Sequence, residues 1–175
     1  MDEIDYYQQA LERLRLSNSY TRMEAVLDLL MVSSDMTEAE RYRLLGNEFQ
    51  SCDNIWRYRR EIGKYLRNAT VADRRAMMTV EEFSVWSALP ARLTVYRGCY
   101  DINRHGLSWS LSRAAASSFP FMTRYRRIGQ QAFLLTGRVA RARTVLKLDR
   151  GEQEIIAPSI RIIATEALTD SGASR

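Results

Sequence analysis

The chain reads as an α+β protein: a helical region over residues 1–90, a β-rich region over 91–169 and a short polar tail at 170–175. Two observations predict this. Up to Pro90, apolar residues recur three and four positions apart, the period of a helix face. Beyond Pro90, short runs of β-branched and aromatic residues alternate with turn formers, the texture of strands. Helices gathered ahead of strands argue for segregated α+β rather than alternating α/β.

In the helical region, Ile4, Tyr7, Leu11 and Leu14 form one stripe, and Met23, Val26, Leu27, Leu30 and Met31 a second. Thr37-Glu38-Ala39-Glu40 and Thr79-Val80-Glu81-Glu82 each fit a capping box, in which a hydroxyl and a carboxylate satisfy exposed backbone amides at a helix start. Ile55, Tyr58, Ile62, Tyr65 and Leu66 make a further apolar face, and Phe83, Trp86 and Leu89 close the last helix before Pro90. These stripes are read as core rather than as ligand contacts. The strands expected are 93–96, 107–110, 131–136, 144–148, 154–157 and 160–164, with one short helix at 114–119. The tail, small and polar, is expected to fray.

A chain of 175 residues with 46% hydrophobic content suits one domain with a core, which excludes wholesale disorder. Its longest apolar runs, 29–32 and 132–135, are far too short for a membrane-spanning helix, and with the acidic opening Met1-Asp2-Glu3 no leader peptide is expected. Only Cys52, Cys99 and His105 carry soft metal ligands, so neither a disulfide scaffold nor a metal centre is expected. A reduced, cytoplasmic setting follows as an expectation. Arginine supplies 24 of the 26 basic residues and hence the net +5 charge. Its planar fork suits phosphates and carboxylates, although a coding bias towards arginine produces the same excess.

Three short segments carry chemistry. Arg97 stands at the end of the first expected strand, where a guanidinium could grip phosphate through paired hydrogen bonds, and Gly98 would let a ligand approach the backbone. In Ser108-Trp109-Ser110, alternation places Ser108, Ser110 and Ser112 on one face and Leu107, Trp109 and Leu111 on the other. Glu152 and Glu154 share a strand face just ahead of Ile155-Ile156-Ala157, a costly place for carboxylates unless they are solvated or used. Each segment alone has a plain reading: a surface arginine, an edge strand showing serines to water, or a solvated turn at 149–152.

In this order, Tyr96-Arg97-Gly98, then Ser108-Trp109-Ser110 followed by Ala116-Ser117-Ser118-Phe119, then Glu152-Gln153-Glu154 resemble the mono-ADP-ribosyltransferases of the arginine–serine–glutamate class, in their small phage or bacterial form. The resemblance covers about the second half of the chain. It implies a split, mostly antiparallel β-sandwich with the helical region packed on it, and NAD as substrate without a metal. It implies that Arg97, with Gly98, binds NAD phosphate, and that Ser108, with Ser110, organises the pocket near the nicotinamide ribose. Glu154 would be the catalytic glutamate and Glu152 would position the acceptor. Phe119, Phe121 or Tyr125 would stack on nicotinamide, Phe119 being the residue that closes the Ala-x-x-Phe extension.

The acceptor so implied is arginine on another protein. Nucleic acid is the alternative, held on Arg57, Arg59 and Arg60 or on Arg124, Arg126 and Arg127, with Tyr58 and Tyr125 interleaved for stacking. A silent binding or inhibitor protein on the same scaffold, and simple NAD hydrolysis by water, are further readings. The chain departs from the family's Ser-Thr-Ser at Trp109, which should turn into the core. His105, in a loop after Tyr100, makes the diphtheria-toxin-like class the poorer fit.

Overall fold

The structure, a computed structural model, describes residues 5–32, 35–149 and 152–169. Ile4, the turn at 150–151 and the tail at 170–175 therefore lie outside the described residues. Six helices come first: α1 (Tyr6–Leu14), α2 (Arg22–Val32), α3 (Glu38–Phe49), α4 (Arg59–Asn68), α5 (Val71–Ala76) and α6 (Val80–Ala88). In α1 the stripe holds, with Tyr7 and Leu14 buried. In α2, Met23, Val26, Leu27 and Leu30 are buried but Met31 is 73% exposed, and Leu29 is buried instead. Leu29, Val26, Leu30, Met23 and Leu27 form one continuous arc around the helix. At 3.6 residues per turn Met31 falls about 40° past Leu27, beyond the edge of that arc.

The capping boxes at Thr37/Glu40 and Thr79/Glu82 both close reciprocally, and a third closes at Thr70/Asp73. The third escapes the sequence pattern because aspartate replaces the usual Glu or Gln at its last position.

The strands are β1 (Arg92–Tyr100), β2 (Ser108–Ser110), β3 (Ala132–Ala140), β4 (Val145–Asp149), β5 (Glu152–Ile156) and β6 (Arg161–Leu168). They form one antiparallel sheet in the order β4-β5-β2-β1-β3-β6. All six strands are thus hydrogen-bonded into a single sheet. Its two three-stranded halves are joined thinly, because β2 is three residues long and pairs with β1 only at Tyr96↔Ser110. The α+β class and the mostly antiparallel pairing stand.

Two placements differ from the sequence reading. Arg97 and Gly98 lie inside β1 rather than at its end, because β3 pairs with β1 along its whole length, from Arg92↔Ala140 to Tyr100↔Ala132. Ser112 leaves the serine row: it caps α7 (Arg113–Ser118), accepting a hydrogen bond from the Ala115 amide.

One apolar core runs through both regions. Leu44, Phe49 and Met77 from the helical region share it with Val95, Leu146 and Ile155 from the sheet. Trp109 is buried in it as expected. A buried ion pair clamps α6 to β4. Lys147 Nζ donates to Glu82 Oε2 at 2.8 Å and to the Met77 carbonyl at 3.1 Å, and Glu82 Oε1 accepts from the Leu148 amide at 2.9 Å. Burial alone would raise the Glu82 pKa, but the hydrogen bonds from Lys147 and from the Leu148 and Thr79 amides outweigh it and hold the pKa below the ordinary value.

Candidate active site at the seam of the sheet

Sheet order does what chain order cannot: it sets β5, β2 and β1 side by side, so the three segments become neighbours. Ser110 pairs with Glu154 on one side and with Tyr96 on the other, one cross-strand row over the seam. Ser108 pairs with Ile156, which makes Glu154 its diagonal neighbour, within reach of a side-chain contact. That contact is made: Ser108 Oγ donates a short hydrogen bond to Glu154 Oε1. Above the seam opens a cleft of about 610 Å³ lined by Arg97, Gly98, Ser108, Ser110, Phe119, Glu152 and Glu154 among others. Such a volume is ordinary for a small-molecule site.

Arg97 reaches across the seam. Its guanidinium donates to the backbone carbonyls of Ser108 and, at 2.9 Å, of Asn103. Its Nε is buried without a partner. The plane of the guanidinium lies against Gly106, where an added Cβ would collide with it, so only glycine permits this seat. Among the described residues no carboxylate forms an ion pair with Arg97. Burial lowers its pKa, while Cys99 and the Glu154 carboxylate oppose that shift. A desolvated charge without a counterion is an unfavourable arrangement that an anionic ligand would relieve. This fits a phosphate group, although two of the five N–H donors are already engaged by the chain itself.

Glu154 is partly buried and Glu152 exposed at the rim. Burial raises the Glu154 pKa. The Ser108 hydroxyl lowers it, Glu152 raises it again, and Arg97 and Lys147 lower it, leaving the carboxyl above the ordinary glutamate range. The two carboxylates therefore differ: one desolvated and oriented by a hydroxyl, one open to water.

Gly98, which lines the cleft, also has a packing role. A Cβ there would meet the Ala116 carbonyl and Pro120, so the missing side chain admits α7 and the following turn, Phe119–Phe121. Ser110 Oγ accepts from the Ser112 amide at 3.0 Å, which ties it to the start of α7. Phe119 and Tyr125 both line the cleft and stack on one another, 4.4 Å between centroids and 17° between planes. Phe121 faces a separate hollow beside Tyr100 and Arg127.

The far wall comes from the helical region: Tyr20, Asp53, Asn54 and Trp56. Sequence reasoning missed it, because Ser51-Cys52-Asp53-Asn54 is a polar turn with no period to betray it. Of the two arginine groups, Arg124, Arg126 and Arg127 line the cleft, whereas Arg57, Arg59 and Arg60 do not, and Arg59 lies over the Trp56 ring at 5.7 Å. Among the described residues no three His, Cys, Asp or Glu side chains cluster as metal ligands, and no helix is long and apolar enough to cross a membrane. Cys52 and Cys99 are both free and buried, and burial pushes the Cys52 thiol up to about 12.

Comparison of the chain with protein-family models, with curated proteins and with solved structures gives no match.

Proposed function

We propose that the protein is an NAD-dependent mono-ADP-ribosyltransferase that modifies arginine on a target protein and releases nicotinamide. One observation carries this reading: Arg97, Ser108 and Glu154, far apart in sequence, meet on three adjacent strands, with Ser108 hydrogen-bonded to Glu154. The order and local context of these residues, which resemble the arginine–serine–glutamate transferases, support it.

The chemistry follows from the charges. An unpaired guanidinium suits the pyrophosphate of a dinucleotide. A desolvated carboxylate beside the sugar stabilises the cationic character that grows at the anomeric carbon as its bond to nicotinamide breaks. The electron pair of that bond goes to the pyridinium nitrogen, so nicotinamide leaves neutral. A lone pair from the acceptor nitrogen makes the new bond, and the proton it sheds passes to a nearby carboxylate. In this reading Glu152, exposed at the rim, takes that last role.

The test is incubation with NAD labelled in its adenylate part and a cell lysate, with Glu154→Gln in parallel. Label on macromolecules with wild type alone, resistant to nuclease and sensitive to protease, supports the proposal. Nuclease-sensitive label moves the acceptor to nucleic acid, a reading favoured by Arg124, Arg126, Arg127 and Tyr125 lining the cleft. Full transfer by Glu154→Gln excludes the mechanism. Glu152→Ala is expected to shift the products from modified arginine towards free ADP-ribose, as chromatography of the products would show.

A further inference from the structure

On the wall facing the seam, Asp53 is held unusually firmly for a turn residue. Its Oδ2 accepts from Ser19 Oγ at 2.6 Å, and its amide donates to the Ser19 carbonyl at 3.0 Å. The next residue adds a third tie, from Asn54 Nδ2 to the Tyr20 carbonyl at 3.0 Å. The carboxylate side chain keeps only 16% of its exposure, and Asp53 lines the cleft. There it meets a guanidinium of the same chain, that of Arg124.

The two partners are unequal. Arg124 keeps 58% of its side-chain exposure and rides on the loop between Met122 and Gln131, where most residues are exposed. It also lies loosely over the Tyr125 ring, 5.8 Å from its centroid. A fixed, half-buried carboxylate facing an exposed arginine on a loop has the form of a receptor with an exchangeable occupant. An ion pair with one solvated partner is weak enough to be displaced, and the guanidinium group of an incoming arginine is its chemical equal. Oδ1 offers it a charge-assisted acceptor, and Tyr125 offers an aromatic face.

We infer that Asp53 is the carboxylate that receives the acceptor arginine, and that Arg124 occupies its place until the acceptor displaces it. This rests on the transferase reading above and adds a specificity-determining residue from the helical region, on the opposite wall from Glu152 and Glu154.

The probe is agmatine, a small guanidinium compound, titrated by calorimetry without NAD and then used as acceptor with NAD. In the calorimetric titration, Arg124→Ala should bind agmatine about tenfold more tightly than wild type, and Asp53→Asn/Arg124→Ala should lose that gain. With NAD, the KM for agmatine should fall in Arg124→Ala and rise about tenfold in Asp53→Asn, as loss of one charge-assisted bond implies. Asn keeps the oxygen that accepts from Ser19, and a thermal melt of each variant checks that the fold is intact. Equal agmatine binding by Arg124→Ala and the double variant overturns the inference, as does an agmatine KM unmoved by Asp53→Asn. Agmatine bound through Asp53 with no nicotinamide released by any form would leave the guanidinium site standing and remove the transferase reading instead.

Discussion

At Glu154 a carboxyl group sits beneath the surface against Ser108, and burial lifts its pKa above the ordinary value. The folded protein therefore holds that proton more tightly than the unfolded chain does. Stability falls as pH rises from the unfolded pKa through the raised folded one. Glu154→Gln should accordingly raise the melting temperature at pH 7 and leave it little changed in acid below the ordinary glutamate range, as parallel melts would show. The acid limb of the transfer rate should lie above the usual carboxylate range for the same reason. Gly98→Ala belongs to the same scale. The added methyl meets the Ala116 carbonyl and Pro120, and such overpacking costs about 1–3 kcal/mol in denaturant titrations. Ser108 and Glu154 were legible in the sequence because strand alternation fixes which residues share a face. The use of Gly98 was not, since no local pattern reveals which backbone will come close to it. Asp53 was hidden for a similar reason: its importance comes from Ser19 and Arg124, both remote in sequence.

Among the elements, the clamp between α6 and β4 is the most exposed to test. Glu82 caps its own helix and also receives Lys147 and the Leu148 amide. Its pKa is depressed in the fold, so it contributes stability above its unfolded pKa, and that contribution is lost as pH falls through the folded value. Lys147→Met leaves Glu82 buried without its counterion and should destabilise the fold by about 3–5 kcal/mol, measured by urea unfolding. Glu82→Leu/Lys147→Met should recover most of that loss, because no unpaired charge remains. The capping half of Glu82's role was legible from Thr79 three residues earlier. The other half was not, because Lys147 lies on a strand that only tertiary packing brings to α6. Strand ends were misjudged likewise: β1 continues through Arg97 and Gly98 because β3 offers a partner there.

Across the whole molecule, the α+β class was legible because helix and strand periods occupy different parts of the chain. The order of the sheet was not, since pairing β2 between β5 and β1 is a long-range choice. Yet that order is what brings the three segments together, and the helical region supplies the facing wall of the cleft. With Leu44, Phe49, Met77, Val95, Leu146 and Ile155 in one core, residues 91–175 alone would leave the sheet's share of it uncovered. That fragment should lack the dispersed amide NMR spectrum of the full chain. The most direct measurement is release of nicotinamide from NAD by the purified protein, compared with Glu154→Gln, alongside the NAD affinity of each. The proposed mechanism predicts release by wild type and a rate lower by about a hundredfold or more in the variant, with affinity changed only slightly. Equal release by the two proteins, or a wild type that binds no NAD, would contradict it.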